Sequence, residues 1–565
     1  MTSPPRTDYI DRCEMQRLLF APSPGRAELL ALAGKPLPAA PCRLVVLRNQ
    51  SFEFIASVLE PFMRYAGFDA RVTYSDYDDS LSFEVPLEAE AVLVWLDFER
   101  YAETMDAPAI ATWVLGRMAA LRARTASPIL LGLPPRASEA LEALHDALSA
   151  GLSSVPGLHG CDQDPVYRQL GERFWDMRAM RLTGTRLGNA ACIALARRLG
   201  FICLPALLSP RIKAIALDLD NTLYGGVLGE DGPRGLELSP AHEALHRTLI
   251  GLRERGVFLA IVSKNLDEDV VALFAERPDF PLRWEHLSAR SVGWGSKHEG
   301  IAEIARALRI GPDAVLFVDD NPGELAEVAH ALPGVRYVHA ASPEETNRAL
   351  TLFPGLHGYR SSDEDALRVT DLALSGQRAA LQARFDDSKA YMRSLGVALT
   401  FQLNPHGLAG RLYELSQKTN QFNSGLRRFT EAEVAAYLDG ADGAVVAIGL
   451  RDRLSDSGVI GAVFGRFVGR ALVIDEISIS CRALGRQIED VLVGEALRGM
   501  IGARPVDHVR FAASAGPRNQ PALQWLARFT GAAVTAPEVT WAWEPTALVR
   551  RLEDVPVEIR WNEAI

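Results

Sequence analysis

Apolar runs without alternation organise the middle of this chain. The clearest covers residues 212–217 (IKAIAL) and ends directly before the aspartate pair Asp218 and Asp220. A run that is apolar on both faces predicts a strand buried inside a parallel sheet. Two later runs, FLAIVS at 258–263 and AVLFVD at 314–319, also end in polar residues. Helical segments separate the runs, so the pattern predicts a doubly wound α/β unit.

Asp218 and Asp220 should project the same way just beyond their strand, because side chains alternate along a strand. That edge is where open α/β sheets bind ligands. Two carboxylates this close repel each other unless a cation lies between them, and hard oxygen ligands suit Mg²⁺. A solvated turn is the alternative interpretation, and the polar strand ends downstream weigh against it.

Three further motifs place polar groups near the same edge. Ser263 ends the second run in FLAIVSKN, and Asp319 and Asp320 end the third in AVLFVDDNPGE. Lys297 opens an amphipathic helix in GWGSKHEGIAEIARAL. Each motif is weak alone, but their order along the chain predicts one shared site.

DLDNT resembles the first motif of the haloacid dehalogenase (HAD) phosphotransferase superfamily. Its continuation LYGGVLGEDG is similar to the FkbH-like branch, the glyceryl-transferase and phosphatase proteins of polyketide pathways. The resemblance implies that Asp218 is the nucleophile for a phosphoryl group and Asp220 the acid/base for the leaving group. It implies that Ser263 and Lys297 hold and neutralise that group. It also implies that the metal ligands are Asp218, Asp220, Asp319 and Asp320.

The chain before this unit also alternates strands and helices. Apolar strands are predicted in RLVVLRN, AVLVWLD and SPILLGLP. This region, 41–205, resembles an SGNH-hydrolase-like fold in FkbH-like proteins. Ser51 lacks the Gly-Asp context of that family, and Asp176 has no histidine within reach in sequence, so we expect a domain without hydrolase activity. Ser51 is interpreted as a helix N-cap.

The last domain, 396–550, is predicted to contain three consecutive strands and then a loop rich in glycine and arginine that opens a helix. The segment with KTNQFN resembles the FkbH-like C-terminal signature, and the strand–loop–helix order resembles the acyl-CoA-dependent N-acetyltransferase (GNAT) fold. The resemblance implies that Arg482, Gly485 and Arg486 bind a phosphopantetheine-type group, on CoA or on a carrier protein. Gln487 stands where that family has a small residue. A plain helix N-terminus with a solvated arginine is the alternative.

Cys481 lies at a predicted strand end, directly before the helix N-terminus and beside two arginines. These features lower a thiol pKa and favour a nucleophilic thiolate. The resemblance implies an enzyme-bound thioester, which makes Cys481 the candidate acyl carrier. The alternative is a small buried apolar residue.

Length and composition set bounds on the architecture. At 565 residues, the chain should form roughly two to four domains. We expect an N-terminal arm at 1–40, the SGNH-like domain, a HAD-like domain at 206–350, a helical linker at 351–395 and the GNAT-like domain. The predicted fold class is therefore a multidomain α/β protein. Only a short insertion, residues 225–242, separates the first two HAD motifs, so the predicted site is open, without a separate cap domain.

Charge and cysteine usage narrow the environment. The formal net charge of −11 argues against binding to nucleic acid or to an anionic membrane. No apolar run approaches the roughly 18 residues of a membrane span, and the first residues lack a signal-peptide pattern. The six cysteines show no CxxC spacing, which is typical of reduced thiols. We therefore expect a cytoplasmic enzyme.

The resemblance and the motifs together predict the reaction. The enzyme would use Mg²⁺ to dephosphorylate 1,3-bisphosphoglycerate, or a related small acyl phosphate. The acyl group would pass to the phosphopantetheine thiol of an acyl carrier protein in polyketide or related biosynthesis. Two alternatives stay open: an acyl-CoA-dependent acyltransferase with an accessory phosphatase domain, and a non-catalytic scaffold that docks carrier proteins.

Overall fold

The protein divides into two compact units at residues 361 and 362. The computed structural model describes residues 6–35, 37–178, 180–359, 374, 378, 381–385, 387–480, 482–484, 486–516, 518–535, 537–553 and 555–562. The first unit contains two parallel sheets, and the second contains one mixed sheet. This is a multidomain α/β architecture, as the sequence predicts. The predicted helical linker lies largely outside the described residues.

The first sheet has five parallel strands in the order β2-β1-β3-β4-β5. The strands are β1 (Ala40–Arg48), β2 (Phe68–Tyr77), β3 (Ala91–Trp95), β4 (Ile129–Leu133) and β5 (Leu158–Asp162). The three predicted strands correspond to β1, β3 and β4, the central strands of the sheet. The chain places β2 on one side of β1 and β3 on the other, so the direction of strand addition reverses between β1 and β3.

Helices surround this sheet. They are Arg6–Leu19, Arg26–Leu32, Glu53–Tyr65, Glu99–Ala102, Ala107–Arg122, Glu139–Gly151, Asp164–Leu170, Met180–Thr183, Asn189–Arg198 and Leu204–Leu208, with a π-helical turn at Leu199–Cys203. Phe52, not Ser51, occupies the N-cap of helix Glu53–Tyr65. Ser51 instead donates to the Glu53 carboxylate at 2.7 Å, so the N-cap interpretation was wrong by one residue.

The second sheet also has five parallel strands, in the order β10-β9-β6-β7-β8. The strands are β6 (Ala214–Leu217), β7 (Phe258–Ser263), β8 (Leu287–Val292), β9 (Val315–Asp319) and β10 (Arg336–His339). The helices of this part are Leu228–Gly235, Pro240–Glu254, Asp267–Glu276, Lys297–Ala307, Pro322–Ala331 and Pro343–Leu352. Here the strand order reverses between β6 and β9.

An aromatic cluster joins the two sheets into one unit. Phe20 stacks on Phe201 with ring centroids 4.6 Å apart, and Phe62 meets Phe201 edge-on at 5.2 Å. Phe353, which follows the last helix of the second sheet, lies 6.3 Å from Phe20. All four rings are buried. The N-terminal arm, the first sheet and the second sheet therefore share one hydrophobic core.

The N-terminal helix closes an open edge of the second sheet. The Gln16 side chain donates to the His339 carbonyl at 2.9 Å and accepts from the His339 N–H at 3.0 Å. His339 is the last residue of the edge strand β10, so the Gln16 amide takes the place of a neighbouring peptide group. Arg12, on the same helix, donates to the Tyr65 carbonyl of the first-sheet layer at 3.1 Å.

The second unit is a seven-stranded mixed sheet in the order β16-β15-β14-β13-β12-β11-β17. The strands are β11 (Ala398–Leu403), β12 (Gly443–Arg451), β13 (Asp456–Val468), β14 (Ala471–Ile479), β15 (His508–Ala512), β16 (Glu538–Ala542) and β17 (Glu558–Asn562). The helices are Ser388–Leu395, Ala409–Lys418, Glu431–Asp439, Glu489–Ile501, Gln520–Thr530 and Pro545–Glu553. The three predicted strands and the following helix are present as β12, β13, β14 and Glu489–Ile501.

Contrary to the expectation from the sequence, one helical stretch among the described residues, Asn189–Leu208, has the length and apolar composition of a membrane span. Of its most apolar window, 67% is buried inside the protein. Its position against helix Glu53–Tyr65 gives it a packing role in the first unit.

Replacing Gln16 with leucine should destabilise the first unit. The substitution leaves the His339 N–H and carbonyl groups without their partner, at a cost of about 1–3 kcal/mol. We expect a lower midpoint in urea unfolding followed by tryptophan fluorescence. Arg17→Ala, on the exposed side of the same helix, is the control and should change the midpoint little. Equal stability of Gln16→Leu and the wild type would contradict this role.

Candidate active site

The strand order brings two aspartates together. Asp218 directly follows β6, and Asp319 ends the neighbouring parallel strand β9. The Asp218 N–H donates to the Val318 carbonyl at 3.0 Å, which fixes the two strand ends side by side. The strand order reverses at this point, where a crevice forms at the carboxyl edge of open α/β sheets. The predicted clustering of these strand ends is therefore observed.

Lys297 lies between the two carboxylates. Its Nζ is 3.0 Å from Asp218 Oδ1 and 2.5 Å from Asp319 Oδ2, and all three side chains are buried. Lys297 begins helix Lys297–Ala307, and one turn later Gly300 lies against β7 and β8. A Cβ atom at Gly300 would be 2.9 Å from Ser291 Oγ. The missing side chain lets the helix approach closely enough to carry the ammonium group to the strand ends.

Ser263 and Asn265 complete the inner part of the site. Ser263 Oγ donates to Asp218 Oδ1 at 2.8 Å. Asn265 Nδ2 donates to Ser263 Oγ at 3.1 Å and to Asp220 Oδ2 at 2.9 Å. The sequence analysis did not single out Asn265. The signal was present, because Asn265 follows Ser263 by two residues, as Asp220 follows Asp218.

Asp220 is held by the short segment that follows it. Its Oδ1 accepts from Tyr224 OH at 2.8 Å and from the Leu228 N–H at 2.9 Å. The chain turns back because Asn221 takes a left-handed conformation, with φ of 53°, and exchanges hydrogen bonds with Gly226. The insertion beyond it forms a short helical segment kinked at Gly232, not a separate cap domain. Asp220 is part-exposed, unlike the buried Asp218 and Asp319.

Three carboxylates are arranged to hold a metal ion. One oxygen atom from each of Asp218, Asp319 and Asp320 lies within 4.8 Å of the others. Asp220 lies outside this group, and its predicted role as a metal ligand stays a prediction. Both of its oxygens are engaged by Asn265, Tyr224 and the Leu228 N–H.

The charges of the site favour a divalent cation. Burial raises the pKa of Asp218. Burial and the nearby Asp218 charge raise the pKa of Asp319 to about 7 and also raise the pKa of Asp320. Burial alone would lower the pKa of Lys297, yet Asp218 and Asp319 raise it. Three carboxylates face one ammonium group, so negative charge is in excess. Oxygen ligands with surplus negative charge fit Mg²⁺.

The arginines of the predicted phosphopantetheine loop point into the protein. Arg482 donates to the Ser457 carbonyl at 2.6 Å, and Arg486 pairs with Asp452 at 3.0 Å. Both side chains are buried. This placement is at odds with the prediction that they bind a phosphate, because both guanidinium groups lie on protein acceptors. Cys481 and Gly485 lie outside the described residues, so their roles stay predictions.

The KTNQFN segment is built into the mixed sheet. β14 and β15 pair only from Ala471 to Ile474, and beyond that point residues 422–424 lie between them. The Ile479 N–H donates to the Phe422 carbonyl, and the Ser514 N–H to the Ser424 carbonyl, both at 2.9 Å.

The buried side chain of Glu476, on β14, holds the chain directly after the KTNQFN motif in place. Its carboxylate accepts from the backbone N–H groups of Ser424 at 2.7 Å, Gly425 at 3.1 Å and Arg427 at 2.6 Å. Burial nevertheless raises its pKa to about 7. The sequence analysis missed Glu476 because two adjacent acidic residues, Asp475 and Glu476, within an apolar strand carry no spacing signal.

No protein-family model and no curated protein matches this sequence. Among solved structures, it is similar to the N-terminal part of the protein BF1531 from Bacteroides fragilis, which contains a phosphatase domain and is complexed with Mg. That match has 18% identity and a TM-score of 0.47, and covers 61% of this chain and 99% of that one.

Two acetyltransferases share shorter similarity. Arabidopsis thaliana NAA60, in complex with a bisubstrate analogue, has 16% identity and a TM-score of 0.19, over 24% of this chain and 83% of that one. A mutant of the spermidine N-acetyltransferase SpeG from Vibrio cholerae has 15% identity and a TM-score of 0.18, over 23% of this chain and 77% of that one. At such low identities and TM-scores, the chemistry has to be argued from the side chains.

Replacing Asn265 with alanine should impair any reaction that uses Asp218 and Asp220. The substitution removes the hydrogen bonds that fix Asp220 and Ser263, and misplacement of this kind costs between about 10- and 100-fold in rate. The measurement is hydrolysis of p-nitrophenyl phosphate with Mg²⁺. Asn189→Ala, at an exposed position in the first-sheet layer, is the control. An Asn265→Ala rate within about twofold of wild type would contradict this positioning role.

Proposed function

We propose that this protein is a Mg²⁺-dependent phosphoryl-transfer enzyme that processes a small acyl phosphate and passes the acyl group to a carrier-protein thiol. One observation carries the phosphoryl part of the proposal. Lys297 bridges Asp218 and Asp319 at the strand-order reversal, with Ser263 on Asp218 and Asp320 beside the pair. Nucleophile, cation and metal ligands thus lie within one small space.

Each side chain has a role that follows from its position. Asp218 attacks the phosphorus atom of the donor's ester phosphate, so an O–P bond forms to the carboxylate and the bond from phosphorus to the ester oxygen breaks, which leaves the acyl phosphate intact for the thiol. Ser263 and Lys297, both within 3.0 Å of Asp218 Oδ1, hold that oxygen and orient the other toward the substrate. Asp220, which is part-exposed, gives a proton to the leaving oxygen and later takes one from the water that releases phosphate.

The metal would be held by Asp218, Asp319 and Asp320. When bound, Mg²⁺ supplies positive charge to the phosphoryl oxygens, whose charge is the main demand of this chemistry. The chain adds the Lys297 ammonium group, which the two aspartates keep charged. Asn321 N–H donates to Asp319 Oδ1 at 2.8 Å and fixes that carboxylate from the other side.

The acyl part of the proposal depends on a thiol. A thiolate attacks the acyl carbon, so a C–S bond forms and the bond from that carbon to the phosphate oxygen breaks, which releases phosphate. By resemblance the acyl group is glyceryl, the donor is 1,3-bisphosphoglycerate and the final thiol is the phosphopantetheine of an acyl carrier protein. Cys481 is the proposed intermediate carrier on the enzyme.

The acyl-CoA-dependent alternative assigns the second unit the main activity. Its predicted phosphate contacts are Arg482 and Arg486, whose buried positions on Ser457 and Asp452 count equally against phosphopantetheine on CoA and on a carrier protein. The scaffold alternative needs no intact site. The bonded set of Asp218, Ser263, Lys297 and Asp319 therefore supports the catalytic proposal over it.

Intact-protein mass spectrometry tests the proposed transfer. The enzyme is incubated with Mg²⁺, 1,3-bisphosphoglycerate and a holo acyl carrier protein. We expect a glyceryl mass gain on the carrier that is lost with Asp218→Asn, because the nucleophile is gone, and kept with Glu268→Gln at an exposed position. A transient gain on the enzyme, lost with Cys481→Ala, would support the covalent step. No gain on either protein, with acyl-CoA active instead, would favour the acyltransferase alternative.

Metal dependence is a separate expectation. Removal of divalent cations with EDTA should abolish phosphate release, and Mg²⁺ should restore it. Asp320→Asn removes a part-exposed ligand without touching Lys297, so it should raise the Mg²⁺ concentration for half-maximal activity by about tenfold. Glu268→Gln should leave that concentration unchanged. Full activity in EDTA would overturn the metal assignment.

A further inference from the structure

The first sheet has a cleft at its own strand-order reversal. The cleft lies at the carboxyl ends of β1, β3, β4 and β5, and the empty space at it, open solvent included, is about 380 Å³. Ligands bind at this position in open parallel sheets. None of the described residues that line it is a serine, cysteine or histidine. Ser51 is not among them and is bonded to Glu53, so the cleft has the position of a binding site without a nucleophile.

The charged groups of the cleft are paired with one another. Arg186 lies 3.0 Å from Asp97 and 2.5 Å from Glu99. One guanidinium group therefore serves two carboxylates, which leaves one negative charge. Among the described residues that line the cleft, a phosphate or carboxylate ligand would meet no cation other than the paired Arg186, so the charge pattern favours an uncharged ligand.

Two buried primary amides supply unused hydrogen-bonding groups. Gln163, which is 5% exposed and lines the cleft, makes no side-chain hydrogen bond to any residue in the described part of the chain. Gln50, which is 9% exposed, accepts from Thr185 Oγ1 at 2.9 Å, and its NH₂ group likewise has no acceptor among the described residues. A ligand in the cleft can pair with these groups, and each such hydrogen bond contributes about 0.5–1.5 kcal/mol net.

The remaining walls are apolar or aromatic. Leu96, Pro134, Leu187 and the Trp175 ring face the same space. Gly132 on β4 makes room for the Trp95 ring, since a Cβ atom there would lie 2.8 Å from it, and the same Cβ would be in ordinary contact with Gln163 Nε2 at 3.5 Å. The cleft thus combines apolar walls with amide groups that donate and accept.

From these contacts we propose that the first sheet carries a second ligand-binding site, which takes an uncharged chain bearing amide groups through Gln50 and Gln163. A primary amide pairs with another amide by one donated and one accepted hydrogen bond, and the apolar walls suit the intervening carbons. This site is independent of the phosphoryl site, so it stands whether or not that proposal holds.

Isothermal titration calorimetry of the full chain with pantetheine tests the site. Pantetheine is an uncharged chain with amide and hydroxyl groups, and pantothenate is its anionic analogue. We expect pantetheine to bind. Pantothenate should bind more weakly, because Arg186, Asp97 and Glu99 together leave one negative charge in the cleft, which repels its carboxylate. Gln163→Leu should weaken pantetheine binding at least about tenfold through the lost hydrogen bonds. Asp218→Asn should leave it unchanged.

The chain offers a control on the neighbouring helix. Gln169→Leu makes the same chemical change at an exposed position of Asp164–Leu170 and should not affect binding. If Gln163→Leu unfolds in a thermal melt, Gln50→Leu provides the second test, with the same expected loss. No pantetheine binding at millimolar concentration, or binding that both glutamine variants retain, would overturn the proposal. Tighter binding of pantothenate would overturn the charge argument.

Discussion

Two buried carboxylates on neighbouring strands cannot both stay ionised without a positive charge between them, and the Lys297 ammonium group supplies it. Removing one partner of such a buried arrangement costs about 3–5 kcal/mol, because the remaining charge stays out of water. This contact between Lys297 and the two aspartates requires a particular arrangement of the second sheet. β6 and β9 must be adjacent to align Asp218 with Asp319, and Gly300 must lack a side chain for the helix to bring Lys297 near.

The two parallel sheets of the first unit use one topological rule for different chemistry. Each has a reversal of strand order, and each has polar side chains at the carboxyl edge there. In the second sheet the strand ends provide carboxylates around a lysine, which suits a metal and a phosphoryl group. In the first sheet the cleft at the strand ends carries the amides of Gln50 and Gln163 beside the ion-paired Arg186, Asp97 and Glu99, and this combination suits a neutral ligand. The backbone decides where a site forms, and a few side chains decide what it accepts.

The sequence predicted what depends on local pattern. Central strands such as β6, which is apolar throughout, and β9, which is apolar up to its final Asp319, were recognisable, whereas edge strands such as β2 and β8 carry polar residues on an exposed face and were missed. Asp218, Lys297 and Asp319 were recognised from motifs. The contacts of Asn265 with Asp220, and of Arg486 with Asp452, depend on side-chain directions between distant segments, which no local pattern records.

The contact between Gln16 and His339 joins residues 323 positions apart in sequence. A ribosome therefore releases the N-terminal helix long before the strand edge that it covers exists. Until β10 is made, the apolar face of that helix, with Phe20 beyond its end, has only the first-sheet layer to pack on. The second sheet likewise keeps an open edge until the helix docks. The first unit is thus completed only near the end of its synthesis. Because both sheets contribute to the shared core, that core is completed only then.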